Sequence, residues 1–241
     1  MDWAAIIKPI IILVAILNFI PLMIWFERKG SAYIQDRRGP NRAAILGIRM
    51  GGMLHNIADV LKLLTKEDIV PTQAHRFFYF LAPILAMFVA SVTVGVIPFA
   101  APLAIGERMT ISFQVADLNV GILYVLAMGS LGVYGVLLAG WSANNNYTLL
   151  GGLRASAQMV SYEIAMALAL VAVILAAGSV RIGEIIDMQR GGVWMWNIVM
   201  QPVAFVIFLT ALFAETNRNP FDLPEGESEL VAGYHTEYSS M

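Results

Sequence analysis

Apolar residues gather in five long stretches, Ala4–Phe26, Phe77–Phe99, Gly121–Gly140, Ala157–Ala177 and Val193–Ala214. Each holds about twenty residues, enough at ~1.5 Å per helical residue to cross a ~30 Å hydrocarbon core. The runs are unbroken rather than alternating, and backbone groups in lipid must be satisfied within their own segment, so helices are expected and barrel strands are not. The pattern therefore predicts an all-α polytopic membrane protein with five transmembrane helices. Between the first two runs the period changes. Met50, Met53, Leu54, Ile57, Val60, Leu61 and Leu64 recur at helical spacing, with His55, Asp59, Lys62 and Lys66 opposite. Gly47–Thr65 is thus expected to form an amphipathic helix lying along the membrane or against other helices. Lys8, Pro9 and Pro21 fall inside the first run, where proline is tolerated and Lys8 can snorkel to the near interface.

Composition agrees with the pattern. The 241 residues are 59% hydrophobic and 13% charged, with a mean hydropathy of +0.71, where a soluble domain is about a quarter charged. Cysteine is absent from the sequence, which removes disulfides, thiolate metal sites and cysteine nucleophiles. The first run lacks a small-residue cleavage site after it and reads as a retained anchor. The formal net charge of −2 names no partner, but its distribution sets an orientation. With five spans, eleven of the 15 Lys and Arg fall on the side of residues 27–76, 141–156 and 215–241, and four fall on the other. The positive-inside rule then places the N-terminus outside, with these larger loops in the cytoplasm.

The most informative chemistry lies after the fifth run. Glu225, Glu227 and Glu229 stand at every second position, with Glu163 and Glu215 as further acids. One reading is a solvated loop kept out of lipid by its charge. The other follows from Pro220, Phe221, Leu223, Pro224 and Tyr234, which interleave with the acids and suggest a packed segment whose partly buried carboxylates shift toward neutrality. Glu163 sits in the fourth apolar run, where an ionisable group costs ~2.5–3.5 kcal/mol even on a lenient scale; it either snorkels to the interface or has a role. The basic turn Arg37-Arg38-Gly39-Pro40-Asn41-Arg42 suits anionic lipid, an acidic partner, or pairing with those acids. His55, His75 and His235 lack ligand spacing, so no metal site is expected. The nucleotide-binding glycine motifs are missing from the sequence.

Longer motifs carry a resemblance. Glu27-Arg28-Lys29, Arg38-Gly39-Pro40-Asn41-Arg42 and Ala58-Asp59-Val60-Leu61-Lys62-Leu63-Leu64-Thr65-Lys66-Glu67-Asp68 resemble the first loop of the quinone-chamber membrane component of respiratory complex I, known in the bacterial enzyme as its H subunit. Gly151-Gly152-Leu153-Arg154, Tyr162-Glu163 and the Ala214–Met241 stretch resemble the same family, so the likeness covers nearly the whole chain. It implies a non-autonomous subunit of a proton-pumping NADH:quinone oxidoreductase, a translocase, in the bacterial inner membrane. Members of that family contribute to the quinone chamber and to the acidic path that couples quinone reduction to proton movement. The implied partners are the peripheral quinone-site subunits, neighbouring small membrane subunits, lipid and quinone, and no nucleic acid. NADH, FMN and iron–sulfur clusters belong to partner subunits; this chain would bind no cofactor covalently, contribute no catalytic group directly and be inactive alone. The family fold has eight spanning helices, so residues 1–241 are expected to be a single integral membrane domain lacking the last three.

Carried over by motif, the proton-path candidates are Glu163, Glu215, Asp222, Glu225, Glu227, Glu229 and Glu237. Arg28, Arg37, Arg38, Arg42, Asp59, Lys62 and Arg218 are candidates for shaping the chamber mouth or pairing with the acids, and Phe221 for its wall. The chain departs from the family pattern at His55-Asn56, where the family often has Gln followed by Pro. The homologous subunits of a membrane-bound hydrogenase or a coenzyme F420H2 dehydrogenase share these helices and differ in electron donor. An autonomous ion transporter would instead require internal pseudo-symmetry, which the sequence lacks.

Overall fold

The computed structural model describes residues 3–45, 47, 49–105, 109–226 and 233–239. Among the described residues the chain is all-α apart from one small ribbon, and it divides into two compact units, residues 1–69 with 238–241, and residues 70–237.

The first unit is built on α1 (Trp3–Ile34), which contains Pro9 and Pro21, and α2 (Leu54–Thr65). The sequence pattern suggested a helix from Gly47, but α2 starts at Leu54 because Gly51 and Gly52 adopt φ of 63° and 99°. A Cβ on Gly52 would stand 2.1 Å from the Pro40 carbonyl oxygen, so the basic turn and the helix start can meet only at glycine. α2 is tied to α1 by polar contacts. Asn56, buried at 8% exposure, donates to the Pro21 carbonyl, and Trp25 Nε1 donates to the Gly51 carbonyl at 3.1 Å. Apart from Leu54, which is buried, the apolar stripe points elsewhere: Ile57, Leu61 and Leu64 are all more than half exposed. A helix that packs through its mixed face and presents its apolar face outward suits a bilayer or protein neighbour.

The second unit begins with α3 (Arg76–Val94), followed by an antiparallel ribbon of β1 (Leu103–Ile105) and β2 (Met109–Ile111) in the register Leu103↔Ile111. Then come α4 (Gly121–Ser142), α5 (Asn146–Ala177), the short α6 (Ile182–Met188) and α7 (Asn197–Met200), and α8 (Pro202–Glu215). α3 packs on α4, α4 on α5 and α5 on α8. Small residues allow the close approaches. A Cβ on Gly140 would meet the Thr148 carbonyl oxygen at 2.6 Å and Gly152 Cα at 3.0 Å, so the α4–α5 crossing is a backbone-to-backbone contact. α5 starts on Asn145, whose side chain accepts the Tyr147 amide at 3.0 Å, and ends on Gly178 at φ 66°.

Among the described residues, α1, α3, α4 and α5 are long and apolar enough to cross a membrane. The fifth expected span, Val193–Ala214, is not one continuous helix. It divides into a tight turn at Val193–Met195, then α7 and α8. Pro202 has no amide to continue the helix before it, and Gln201 sits at φ −134°, ψ 63° with its side chain donating to the Ala172 carbonyl at 3.1 Å. The remaining α8 has 14 residues, about 21 Å at ~1.5 Å each.

Candidate functional site

The predicted acids that the structure describes in the second unit lie on α5, at the end of α8 and in the segment after it. Helix packing sets the first pair. Glu163 on α5 is in hydrogen-bond contact with the Ser130 hydroxyl of α4. Glu215, the last residue of α8, feels the charge of Glu163, and its Oε2 atom is buried without a hydrogen-bond partner among the described residues.

One turn before Glu163, the side chain of Gln158 fastens the next segment to α5. Its Nε2 lies 3.0 Å from the Phe221 carbonyl, 3.3 Å from the Ala214 carbonyl and 3.3 Å from Asn217 Oδ1. Asn217 is itself buried at 8% exposure and held at φ 46°. Its Nδ2 donates to Glu225 Oε1 at 3.1 Å, and the Tyr234 hydroxyl donates to the same oxygen at 2.9 Å. Burial, and then the adjacent Glu225 charge, push the Tyr234 phenol well above its ordinary value, so it remains a donor through the physiological range. Phe221 is half-buried, its ring edge-on to Tyr162 with centroids 5.1 Å apart.

The last acid of the set is held from two sides. Glu237 Oε1 accepts from Asn145 Nδ2 at 2.7 Å, and its backbone carbonyl accepts from the Tyr79 hydroxyl at 2.9 Å. Thr72, Gln73, Asn144, Tyr147 and Glu237 border a polar hollow of about 370 Å³ there. Residues 233–234 rest directly on α5, because a Cβ on Gly151 would come within 2.7 Å of the Gly233 carbonyl carbon.

Asp222 and Arg218 are exposed on the turn. Glu227 and Glu229 lie outside the described residues. In the first unit Arg28 pairs with Asp59 at 2.6 Å and reaches Asn56 Oδ1 at 3.5 Å, with both charged side chains nearly half exposed. Arg37, Arg38, Arg42 and Lys62 are exposed, and the Arg38 carbonyl accepts from Lys29 Nζ at 3.0 Å. His55 Nε2 accepts the Ala43 amide at 3.3 Å.

Sequence reasoning named the acids and set Tyr234 among them as packing, but missed Gln158, Asn217, Ser130 and Asn145, the other neutral groups that hold them. The available signal was polarity out of place, a glutamine and a serine inside otherwise apolar runs. The assembly alternates carboxylates with amides and hydroxyls. Carboxylates and the phenol can take and give protons; the amides fix their geometry.

The family model for NADH dehydrogenase matches residues 7–241. The second H-type subunit of the Koribacter versatilis NADH-quinone oxidoreductase is 46% identical over 248 residues, covering 98% of this chain and 69% of the relative. The first H-type subunit of the Solibacter usitatus enzyme is 46% identical over 241 residues, 98% of this chain and 59% of that protein. Subunit 8 of the Rhodothermus marinus enzyme is 48% identical over 242 residues, 99% of this chain and 66% of that protein. The chain thus spans between 59% and 69% of the length of these relatives.

Proposed function

This chain belongs to the NADH dehydrogenase family, among the multi-pass membrane proteins related to the H subunit of NADH-quinone oxidoreductase, and from that premise we propose that it couples quinone reduction to proton movement. It acts as a membrane subunit of a proton-pumping NADH:quinone oxidoreductase in the bacterial inner membrane, with the N-terminus outside and the larger loops in the cytoplasm. It helps form the quinone chamber and has no turnover alone. Its partners are the peripheral quinone-site subunits and neighbouring small membrane subunits, which supply the NADH, FMN and iron–sulfur chemistry. Residues 1–241 act as one integral membrane domain.

The observation that supports this reading is the bonded line from Tyr234 through Glu225 and Asn217 to Gln158, at the end of the bundle where Glu215 feels the charge of Glu163. These four acidic and phenolic groups, with Glu237, Asp222, Glu227 and Glu229, form the proton-path set. Arg28, Asp59, Arg37, Arg38, Arg42, Lys62 and Arg218 shape the chamber mouth or balance its charge, and Phe221 contributes a wall. The energetic scale is adequate. Unit charges ~4 Å apart interact by ~4 kcal/mol at an effective dielectric of ~20, about three pKa units. A quinone carrying added electrons can therefore shift protons among neighbouring carboxylates.

The test is the double variant Glu163→Gln and Glu225→Gln in the assembled complex. With assembly confirmed, NADH:quinone turnover and pumping should both collapse while NADH oxidation by an artificial acceptor persists. Wild-type pumping in that variant would refute the assignment.

A further inference from the structure

The other end of α8 encloses a feature that proton transfer does not use. A cavity of about 220 Å³ lies between α5 and the α7–α8 segment, walled by Leu170, Val173, Phe205 and Phe208. Two polar side chains line it, Asn197 and Gln201, and the carbonyl oxygens of both, Oδ1 and Oε1, are buried without a hydrogen-bond partner among the described residues. The Gln201 amide nitrogen is already committed to the Ala172 carbonyl. The site therefore lacks two hydrogen-bond donors, and it is otherwise apolar.

Water fits this poorly. At ~30 Å³ each, on the order of seven waters would occupy the volume, yet each needs two to four polar partners and the walls offer two acceptors. An apolar body with a donating end fits better. The surroundings place that end at headgroup depth. Trp194 is 85% exposed and Trp196 48% exposed beside α7, as expected of interfacial anchors. Charge narrows the class. The lining contains no carboxylate, so an ammonium would be buried without its counter-charge, whereas a hydroxyl is far cheaper to desolvate. A cation does stand nearby for an anionic phosphate. The backbone N–H of Asn197 donates to Gln189 Oε1 at 3.1 Å, which ties α7 to the turn bearing Arg190. Arg190 is exposed, and its fork keeps donors beyond the one used on Asp187 at 2.8 Å.

The geometry points to a binding site for phosphatidylglycerol. Its two headgroup hydroxyls donate to Asn197 Oδ1 and Gln201 Oε1, its phosphate faces Arg190, and its acyl chains run along the exposed Val203 and Val206 of α8.

The full chain, purified in detergent, stripped of lipid and offered phosphatidylglycerol, phosphatidylethanolamine and phosphatidylcholine of identical acyl chains, is read by native mass spectrometry. Phosphatidylglycerol should be retained over both others by about fivefold for each hydroxyl bond. Asn197→Leu should reduce that preference about fivefold, and because it removes an unpaired buried acceptor the fold should hold. Arg190→Gln, at an exposed position, supplies an independent reading and should also weaken retention. Equal retention of the three lipids, preference for the ethanolamine lipid, or unchanged retention in both variants would overturn the assignment.

Discussion

Replacing Gln158 with leucine removes one amide while leaving the volume nearly unchanged, and the structure sets the size of the effect. Its NH2 group faces three acceptors, the carbonyls of Ala214 and Phe221 and the side chain of Asn217, at 3.0–3.3 Å. An amide nitrogen carries two hydrogens, so the three contacts amount to about two bonds. Leaving a buried acceptor unpaired costs ~1–3 kcal/mol; the site is half-buried and the Ala214 carbonyl still accepts the Asn217 amide at 3.3 Å, so about one such cost at the lower end, ~1–2 kcal/mol, is expected for the whole change. The cost falls on the turn that follows α8, because its backbone bonds, Arg218 to Phe213 at 3.0 Å and Phe221 to Arg218 at 2.7 Å, depend on that anchor. Local opening there should become about 5–30-fold more frequent. Hydrogen–deuterium exchange reads this directly. The amides of Arg218, Phe221 and Glu225 should lose protection, while that of Gly178, bonded to Ile174 at the far end of α5, should not change. Unaltered exchange in the turn would refute the anchoring role, and equal loss at both ends of α5 would show a global effect instead.

Gly151→Ala should displace residues 233–234, since its Cβ would lie 2.7 Å and 2.8 Å from backbone atoms of Gly233 and Tyr234. Tyr234 should then ionise nearer the ordinary tyrosine value of ~10. In the wild type its raised phenol makes stability constant below ~10 and lets it fall as pH rises beyond, a loss that Tyr234→Phe should abolish in an ultraviolet pH titration. The Arg181 hydrogen bond holds the Asp117 carboxyl below its usual range. That contribution is present above ~3.9 and disappears as pH falls through the lowered value, so Arg181→Gln should remove the acid-dependent loss of exchange protection in residues 114–121. In the first unit, Asn56→Leu breaks a buried bond to Pro21 and should cost more, at ~1–2 kcal/mol, than Arg28→Gln, whose half-exposed ion pair with Asp59 should contribute less than ~1 kcal/mol. Proteolysis of residues 47–53 should rank the two.

The long helices were legible because a continuous apolar run of spanning length has few alternatives. α1, α3, α4 and α5 stand where hydropathy placed them, with α1 extended to Ile34 and α5 begun at Asn146 by its Asn145 cap. The break before Pro202 was harder to read, since Trp196 to Met200 is apolar enough to continue a span and only Gln201-Pro202 marks the stop. The stripe on α2 was correctly periodic, yet periodicity does not say which face meets α1. Asn56 decided that, by finding the Pro21 carbonyl. At the candidate site, Glu163, Glu215 and Glu225 declared themselves as charges in or beside apolar stretches, whereas Glu237 was named only through the family resemblance. Gln158 and Asn217 did not, because an isolated amide becomes informative only when its partners, about 60 residues away for Gln158 and Asn217, are known.

The central claim is that Glu225 and Glu163 exchange protons when quinone is reduced. Redox-induced infrared difference spectroscopy of the assembled complex tests it most directly. The wild type should show a carboxyl C=O band that shifts in D2O. Glu225→Gln and Glu163→Gln should each remove part of that band, whereas Asp187→Asn, an exposed acid outside the proton-path set, should leave it intact. A band unchanged in both glutamate variants would contradict the account.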